Sequence, residues 1–380
     1  MQISGIGLYL QPRVLAAVRV AFPPTLREWS LWWRFAASER PPPLTPSVVV
    51  NVLTETALQA IRQVTARVQI SMRDIFAAGL LEPAYDPCGF DWTELAARLA
   101  EQTGCTVIHS LRQRDRAAGG CGRLITALAD YLLCQNNSCA RLLIHLGHFF
   151  TILYLPAGND IKNVFGFEVG PGNYWLDALL YYGTRCRESC DHGGKRAVQG
   201  RCHEDLLRRW LEHPYLMRRP PKVVAQDTFG KSFLRTVFMI ARNEGMTLAD
   251  LLCTATHWVV QATVRAVRQW LPTDAASLPV YASGGGCRNG FLWQLLSQHF
   301  EQGVHRTDEL GVPGLARSAA AAAILAALTC DGVAGQFPYL TGAHGARWLG
   351  SFCPGDPRHW SRLSAWIADQ TRDLALLRAA

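Results

Sequence analysis

The residues best placed to do chemistry fall in three glycine-rich stretches. One is Gly284-Gly285-Gly286-Cys287-Arg288-Asn289, which follows an apolar run at 279–283 and leads into a helical pattern. Glycines let backbone approach a ligand closely, and the first amides of a helix lack partners, so a phosphate or a purine ribose suits this pattern. A plain strand-to-helix turn suits it as well. Another is Gly166-Phe167-Glu168-Val169-Gly170-Pro171-Gly172-Asn173, which sets one carboxylate at a strand end beside small residues that leave room for substrate. Glu168 is the candidate general base; the alternative is a surface glutamate capping the next helix. The third has Arg112, Arg114, Asp115 and Arg116 running into Gly119-Gly120-Cys121-Gly122. Such a basic stretch and flexible turn could hold an anionic sugar acid, or be a solvated charged loop.

Cys186, Cys190, His192, Cys202 and His203 raise the question of zinc. They lack a close CxxC pair and match no standard finger, so no zinc is expected. The stripe Trp29, Trp32, Trp33 suits a core-facing strand or a partner surface better than a base-stacking platform.

These stretches need elements to position them. Three apolar runs at 3–10, 14–22 and 29–35, broken at Gln11-Pro12 and Pro23-Pro24, predict a three-stranded meander. A helix is expected over 48–70. Asp91 and Glu94 read as a capping box, with Leu95 and Leu99 one turn apart and Gly104 as the stop, so 92–103 is a helix and 105–111 the strand after it. A second meander follows at 141–146, 149–155 and 163–169, with turns at Gly147-His148 and Gly158-Asn159-Asp160. A helix begins at Tyr174, another capped by Thr247 and Asp250 runs to about Leu271, and a strand covers 279–283. Two halves that each open with three sequential strands and continue with alternating helices and strands predict a duplicated α/β domain with a cleft between its halves, the plan of actin-like kinases.

Composition agrees with a folded chain. Its 380 residues, 49% hydrophobic and 18% charged, bound one large or two medium domains and exclude extended disorder. The net charge of +8 is spread over scattered arginines, which favours anionic ligands without indicating nucleic acid. The apolar stretch 319–328 is mostly alanine and too short to cross a bilayer, and no basic segment precedes the first apolar residues, so neither a membrane span nor a signal peptide is expected. Twelve cysteines spread through a chain of this length read as reduced thiols of a cytoplasmic protein.

Taken in order, RDRAAGGCG at 114–122, GFEVGPGN at 166–173, DHGGKRAVQG at 191–200, PK at 221–222, FG at 229–230, SGGGCRN at 283–289, GVP at 311–313, TGA at 341–343 and LG at 349–350 resemble the anhydro-N-acetylmuramic acid kinase family over nearly the whole chain. The resemblance implies the two-lobed actin-like fold of the sugar kinase, Hsp70 and actin superfamily. The lobes would be 1–135 and 136–380, with C-terminal helices able to return to the first. It implies an enzyme of peptidoglycan recycling that uses ATP and Mg²⁺ to phosphorylate the O6 of an amino sugar while water opens its 1,6-anhydro bridge. Glu168 would be the catalytic base. Ser4, Gly5, Gly147, Gly170, Gly172, Asn173, Gly284, Gly285, Gly286 and Asn289 would surround the nucleotide, and Arg112, Asp115, Gly119 and Gly120 the sugar. A homodimer is expected on the same ground.

The chain departs from the family pattern at polar positions. The family's first phosphate loop, MSGTSxDG, reads here Ile3-Ser4-Gly5-Ile6-Gly7-Leu8-Tyr9-Leu10, so a phenol stands where a carboxylate organises Mg²⁺. The second, NIGGxxN, reads His145-Leu146-Gly147-His148-Phe149-Phe150-Thr151, and His148 in place of glycine is expected to block close phosphate approach. Glu168 replaces an aspartate, and a displacement on the order of 1 Å can cost about a hundredfold in rate. PKSTGRE has become Pro221-Lys222-Val223-Val224-Ala225-Gln226-Asp227, Ser318 falls where a glutamate is usual, and the family's HGQT has no match between Val68 and Pro87. These losses predict weak or absent phosphotransfer. The alternative is a pseudokinase that keeps the scaffold as a sugar- or nucleotide-binding or regulatory module.

Overall fold

In the computed structural model the chain runs β1 (Ile3–Gln11), β2 (Val14–Phe22), β3 (Ser30–Ala37), α1 (Pro46–Arg67), β4 (Ala77–Leu81), α2 (Trp92–Thr103), β5 (Val107–His109), α3 (Leu111–Ala117) and α4 (Ala127–Cys134). It continues with β6 (Arg141–Leu146), β7 (Phe149–Leu155), β8 (Phe165–Pro171), α5 (Asn173–Gly183), α6 (Glu204–Leu211), α7 (Pro214–Met217), α8 (Lys231–Asn243), α9 (Leu248–Trp270), β9 (Val280–Ser283), α10 (Gly290–Ser297) and β10 (His305–Arg306). Last come α11 (Arg317–Cys330), α12 (Pro338–Thr341), β11 (Ser351–Cys353) and α13 (Pro357–Ala379). The structure describes residues 3–11, 14–22, 30–37, 46–67, 69–84, 91–185, 187–225, 228–272, 275 and 277–379, with backbone alone for those before 50, for 52, 67 and 73, and for 370–379. The proline breaks at 12, 23–24 and 41–43, Trp29, segment 85–90, Cys186 and Gln226-Asp227 lie outside the described residues, as do the side chains of Trp32 and Trp33.

The chain forms two compact units, Met1–Leu133 with Leu315–Ala380, and Cys134–Gly314. Strand order in the first is β11-β5-β4-β1-β2-β3, and in the second β10-β9-β6-β7-β8. In each unit the first three strands are antiparallel in sequence, and the next two run parallel to the first on its other side. The same plan therefore occurs twice, which is the duplicated topology of the actin-like fold. The first unit adds β11, antiparallel at the β5 edge.

Alternation along β4 gives the first unit two packed faces. Ala77 and Leu81 meet Ala322, Leu325 and Ala326 of α11, while Ala78 and Leu80 meet α1 and α2 through Leu58, Ile61, Leu95 and Leu99. The alanine run of α11 exists because that helix lies close on the sheet: a Cβ at Gly79 would fall 3.0 Å from the Ala326 methyl and closer still to the Ala322 backbone. The α2 boundaries follow from the sequence signals. Asp91 accepts from the amides of Thr93 (2.9 Å) and Glu94 (3.3 Å), and Gly104 closes the helix at φ +71°. Glu94 does not complete a capping box; it turns to Arg98 one turn on. The strand expected over 105–111 is cut to Val107–His109, because Ser110 adopts φ +58° and α3 begins at Leu111. The Arg/Asp stretch is consequently helix rather than loop.

In the second unit the long helix α9, capped reciprocally by Thr247 and Asp250, packs Leu251, Ala255, Trp258, Val259 and Ala262 into a core shared with Leu142, Ile144, Leu146, Ile152 and Phe167 of the sheet. Those strand residues alternate with the ones that face the candidate site. Among the described residues, no helix is long and apolar enough to cross a membrane.

Candidate functional site

Three glycine turns meet at the C-terminal end of β6. Between β6 and β7, the carbonyl of Gly147 accepts from the Asn173 amide (3.0 Å), and that of His148 accepts from the amides of Gly172 (3.0 Å) and Tyr174 (3.2 Å), which ties this turn to the start of α5. Asn173 Nδ2 donates to the Leu146 carbonyl (2.9 Å), bracing the same junction. From the other side, Gly284 has φ +95°, and a Cβ there would sit 2.8 Å from the Leu146 carbonyl oxygen, so only glycine follows this path. Gly286 approaches equally closely, 2.7 Å from Leu146 Cβ to the Cβ it would carry, whereas Gly285 is exposed with its nearest such neighbour at 3.7 Å. Gly147, Gly172, Asn173, Gly284, Gly285 and Gly286 are thus brought together by β6, β8, β9 and α5. Asn289 stands beyond them as the cap of α10, accepting from Leu292 (3.0 Å), and Gly170 lies within β8 opposite Phe150.

A polar row crosses the sheet beside this cradle. Register pairs Ser283 with His145, His145 with Thr151, and Thr151 with Glu168 across β9, β6, β7 and β8, and directly paired residues share a face. His145 Nδ1 and Ser283 Oγ lie 3.0 Å apart. His148, expected to obstruct the second phosphate loop, is exposed; the imidazole in the cradle belongs to His145.

Glu168 is 5% exposed, so it is not a surface cap. Its Oε2 accepts from the Val224 amide (2.8 Å), its own amide donates to the Lys222 carbonyl (3.1 Å), and its carbonyl accepts from the Tyr215 hydroxyl (2.8 Å). Lys222, 6% exposed, donates to the carbonyls of Leu216 (3.0 Å) and Tyr215 (3.3 Å) and lies over the Tyr215 ring. Burial, with like charge from Arg218, pushes its ammonium down to about 8. Segment 222–224 therefore holds the carboxylate from one side while the lysine holds the segment. Tyr215 rides on α7, whose first amide is capped by His213: Nδ1 accepts from the Tyr215 amide at 3.2 Å. The PK motif pointed to Lys222, but nothing in the sequence pointed to Tyr215, His213 or the pairing of His145 with Ser283, 138 positions apart.

Arg112, Asp115, Gly119 and Gly120 form a separate cluster in the first unit. Arg112 donates through Nε to the Glu82 carbonyl (2.8 Å) and through Nη1 to the Gly122 carbonyl (2.7 Å), and its amide donates to Glu82 Oε1 (2.6 Å). Asp115, 0% exposed, accepts from the Gly122 amide (2.8 Å) and Gln336 Nε2 (3.3 Å). A Cβ at Gly120 would stand 2.6 Å from Asp115 Cγ, and one at Gly119 2.6 Å from the His344 ring. The solvated-loop alternative fails for Arg112 and Asp115, which are buried inside the turn they shape; Arg114 and Arg116 are exposed. Ser4 and Gly5 lie within strand β1, opposite Ala21 and Val20, and pairing continues past Tyr9 to Gln11, so 3–10, the stretch matching the family's first phosphate loop, is continuous strand. Cys190 and His192 come within 3.5 Å, but no group of three or more His, Cys, Asp or Glu side chains able to hold a metal occurs among the described residues.

The sequence is similar to those of known proteins. The family model described as anhydro-N-acetylmuramic acid kinase matches residues 93–355. A protein of that name from Gloeobacter violaceus is 35% identical over 261 residues, covering 68% of this chain and 67% of its own length. Another from Acaryochloris marina is 30% identical over 362 residues, 92% of this chain and 94% of its own. The matched span contains every glycine turn of the cradle, the Glu168 strand and the Arg112–Asp115 cluster, and the chain belongs to the anhydro-N-acetylmuramic acid kinase family.

Proposed function

We propose that the chain binds ATP in the glycine cradle of its second unit and phosphorylates the O6 of a 1,6-anhydro amino sugar, with water opening the bridge, at a rate reduced by its departures from the family pattern. The observation that carries this is the convergence of the three glycine turns and Asn173 at one end of β6, with a buried carboxylate in the same cross-strand row. Gly285, exposed and with no protein atom nearer than 3.7 Å to the Cβ it would carry, leaves its backbone open to a phosphate. Glu168 accepts the proton of the attacking water; the water oxygen bonds to the anomeric carbon, the bridge C–O bond breaks, and O6 takes the γ-phosphoryl group as ADP leaves. Mg²⁺, when bound, would neutralise phosphate charge. The described residues offer it no ready-made cluster, and Tyr9 replaces the aspartate on which the family pattern relies.

The test is the product assay. Purified chain with Mg-ATP and anhydro-N-acetylmuramic acid yields a ring-opened 6-phosphate detectable by mass spectrometry, Glu168→Gln abolishes it, and Glu168→Asp raises it by up to about a hundredfold. No product at high enzyme concentration rejects the kinase. A second reading, a pseudokinase that binds without turnover, is supported by Tyr9 and by the hold of Val224 on Glu168; it predicts a thermal shift with nucleotide or sugar and no product.

A further inference from the structure

The cradle's backbone supplies dipoles but no charge, and a polyphosphate is held best by both. Arg306 at the neighbouring strand is engaged elsewhere, donating to the Cys287 carbonyl (3.1 Å) and stacking over Trp293. The imidazole of His145 is differently placed. A Cβ at Gly147 would lie 2.7 Å from its Nε2, and one at Gly284 3.0 Å from its Cε1, so the ring lies between two of the three turns. Ser283 fixes it from β9 through Nδ1, and neutral Thr151 flanks it on β7.

We propose that His145, held by Ser283, is the cationic group of this cradle, so that the site takes the polyphosphate of its ligand together with a proton on the imidazole. The inference rests on the nucleotide reading above and adds a specificity residue and a pH dependence to it. Among the described residues, the charged groups that the chain and the register place near His145 include His148 in the same turn, Arg288 at the end of the 285–288 turn, Asp308, which accepts from the Gly314 amide (3.0 Å) beside Ser283, and Glu168 two strands away in the row. From α5 the neutral Asn173 reaches the adjoining Leu146 carbonyl. A bound phosphate favours imidazolium over imidazole, and linkage then requires binding to weaken as pH rises through the histidine range.

Pyrophosphate titrated calorimetrically into the full chain in EDTA, from about pH 5.5 to about pH 8.5, reads this directly. Affinity of the wild type falls with pH more steeply than that of His145→Asn, by up to about tenfold per pH unit for one linked proton, and the ligand's own titration cancels in the ratio. His148→Asn keeps the wild-type slope. Equal slopes in wild type and His145→Asn, or a slope lost in His148→Asn instead, overturn the proposal. Should His145→Asn not fold, the His145 imidazole followed by NMR in the wild type titrates higher with pyrophosphate present, and an unmoved midpoint overturns it equally. ATP binding without this pH difference removes the proposal and leaves the nucleotide reading intact; no binding of ATP or pyrophosphate at any pH, with or without Mg²⁺, removes both.

Discussion

The Arg112–Asp115 cluster of the first unit and the glycine cradle of the second both join glycines to polar side chains, yet they use them oppositely. In the first, Arg112 and Asp115 bond to Gly122 of their own turn and to Glu82 and Gln336 from distant parts of the chain, and the glycines leave room for Asp115 and His344. In the second, the glycines let three backbone segments converge, and Gly285 keeps an open face. A polar residue beside glycine is a buttress when its partners are its own chain's carbonyls and amides. The glycine is a candidate ligand contact when the space beside it is empty.

That contrast can be broken. Asp115→Ala leaves the Gly122 amide and the Gln336 side chain without their acceptor, and a loss of about 3 kcal/mol in a urea titration is expected, with nucleotide affinity unchanged. A variant as stable as wild type, or one that loses nucleotide binding while stable, makes the cluster something other than a buttress. Gly285→Ala reverses the pattern: the methyl meets nothing closer than 3.7 Å in the protein, so the unfolding midpoint stays, while ATP affinity drops about tenfold because the methyl occupies the ligand's approach. Unchanged affinity removes Gly285 from the site.

The smallest effect sharpens the comparison on the Glu168 side. Neutral His213 caps α7, and burial holds its pKa below the ordinary 6.5. The neutral form is thus favoured by folding. Its contribution is present in full above about 6.5 and drains away as pH falls through the depressed value, since the protonated Nδ1 no longer accepts from Tyr215. His213→Ala costs about 1 kcal/mol at neutral pH and flattens the acid limb of the stability profile. An acid limb identical to wild type would remove His213 as its origin.

Much of this is legible in the sequence. Asp91, Gly104, Thr247 and Asp250 fix helix ends through bonds made within four residues, and alternating apolar runs fix both meanders, because these signals are local. For the Arg112 stretch the sequence leaves a ligand-holding turn and a solvated loop both open; the helix that forms there starts where Ser110 turns the chain at φ +58°, which composition does not reveal. Glu168 was legible as important and illegible in its surroundings: its partners are Val224, Lys222 and Tyr215, some 50 positions away.

Sequence alone determined the strand-rich openings of the two halves, the helix caps, the glycine turns and the family resemblance, since each depends on residue type and short spacing. Only the tertiary structure decided that Asp115 faces inward, that His145 rather than His148 enters the cradle, and that Lys222 secures the segment holding Glu168. Those outcomes depend on which distant strands become neighbours, and strand pairing is set by the summed burial of whole sheet faces rather than by any one residue's neighbours in the chain.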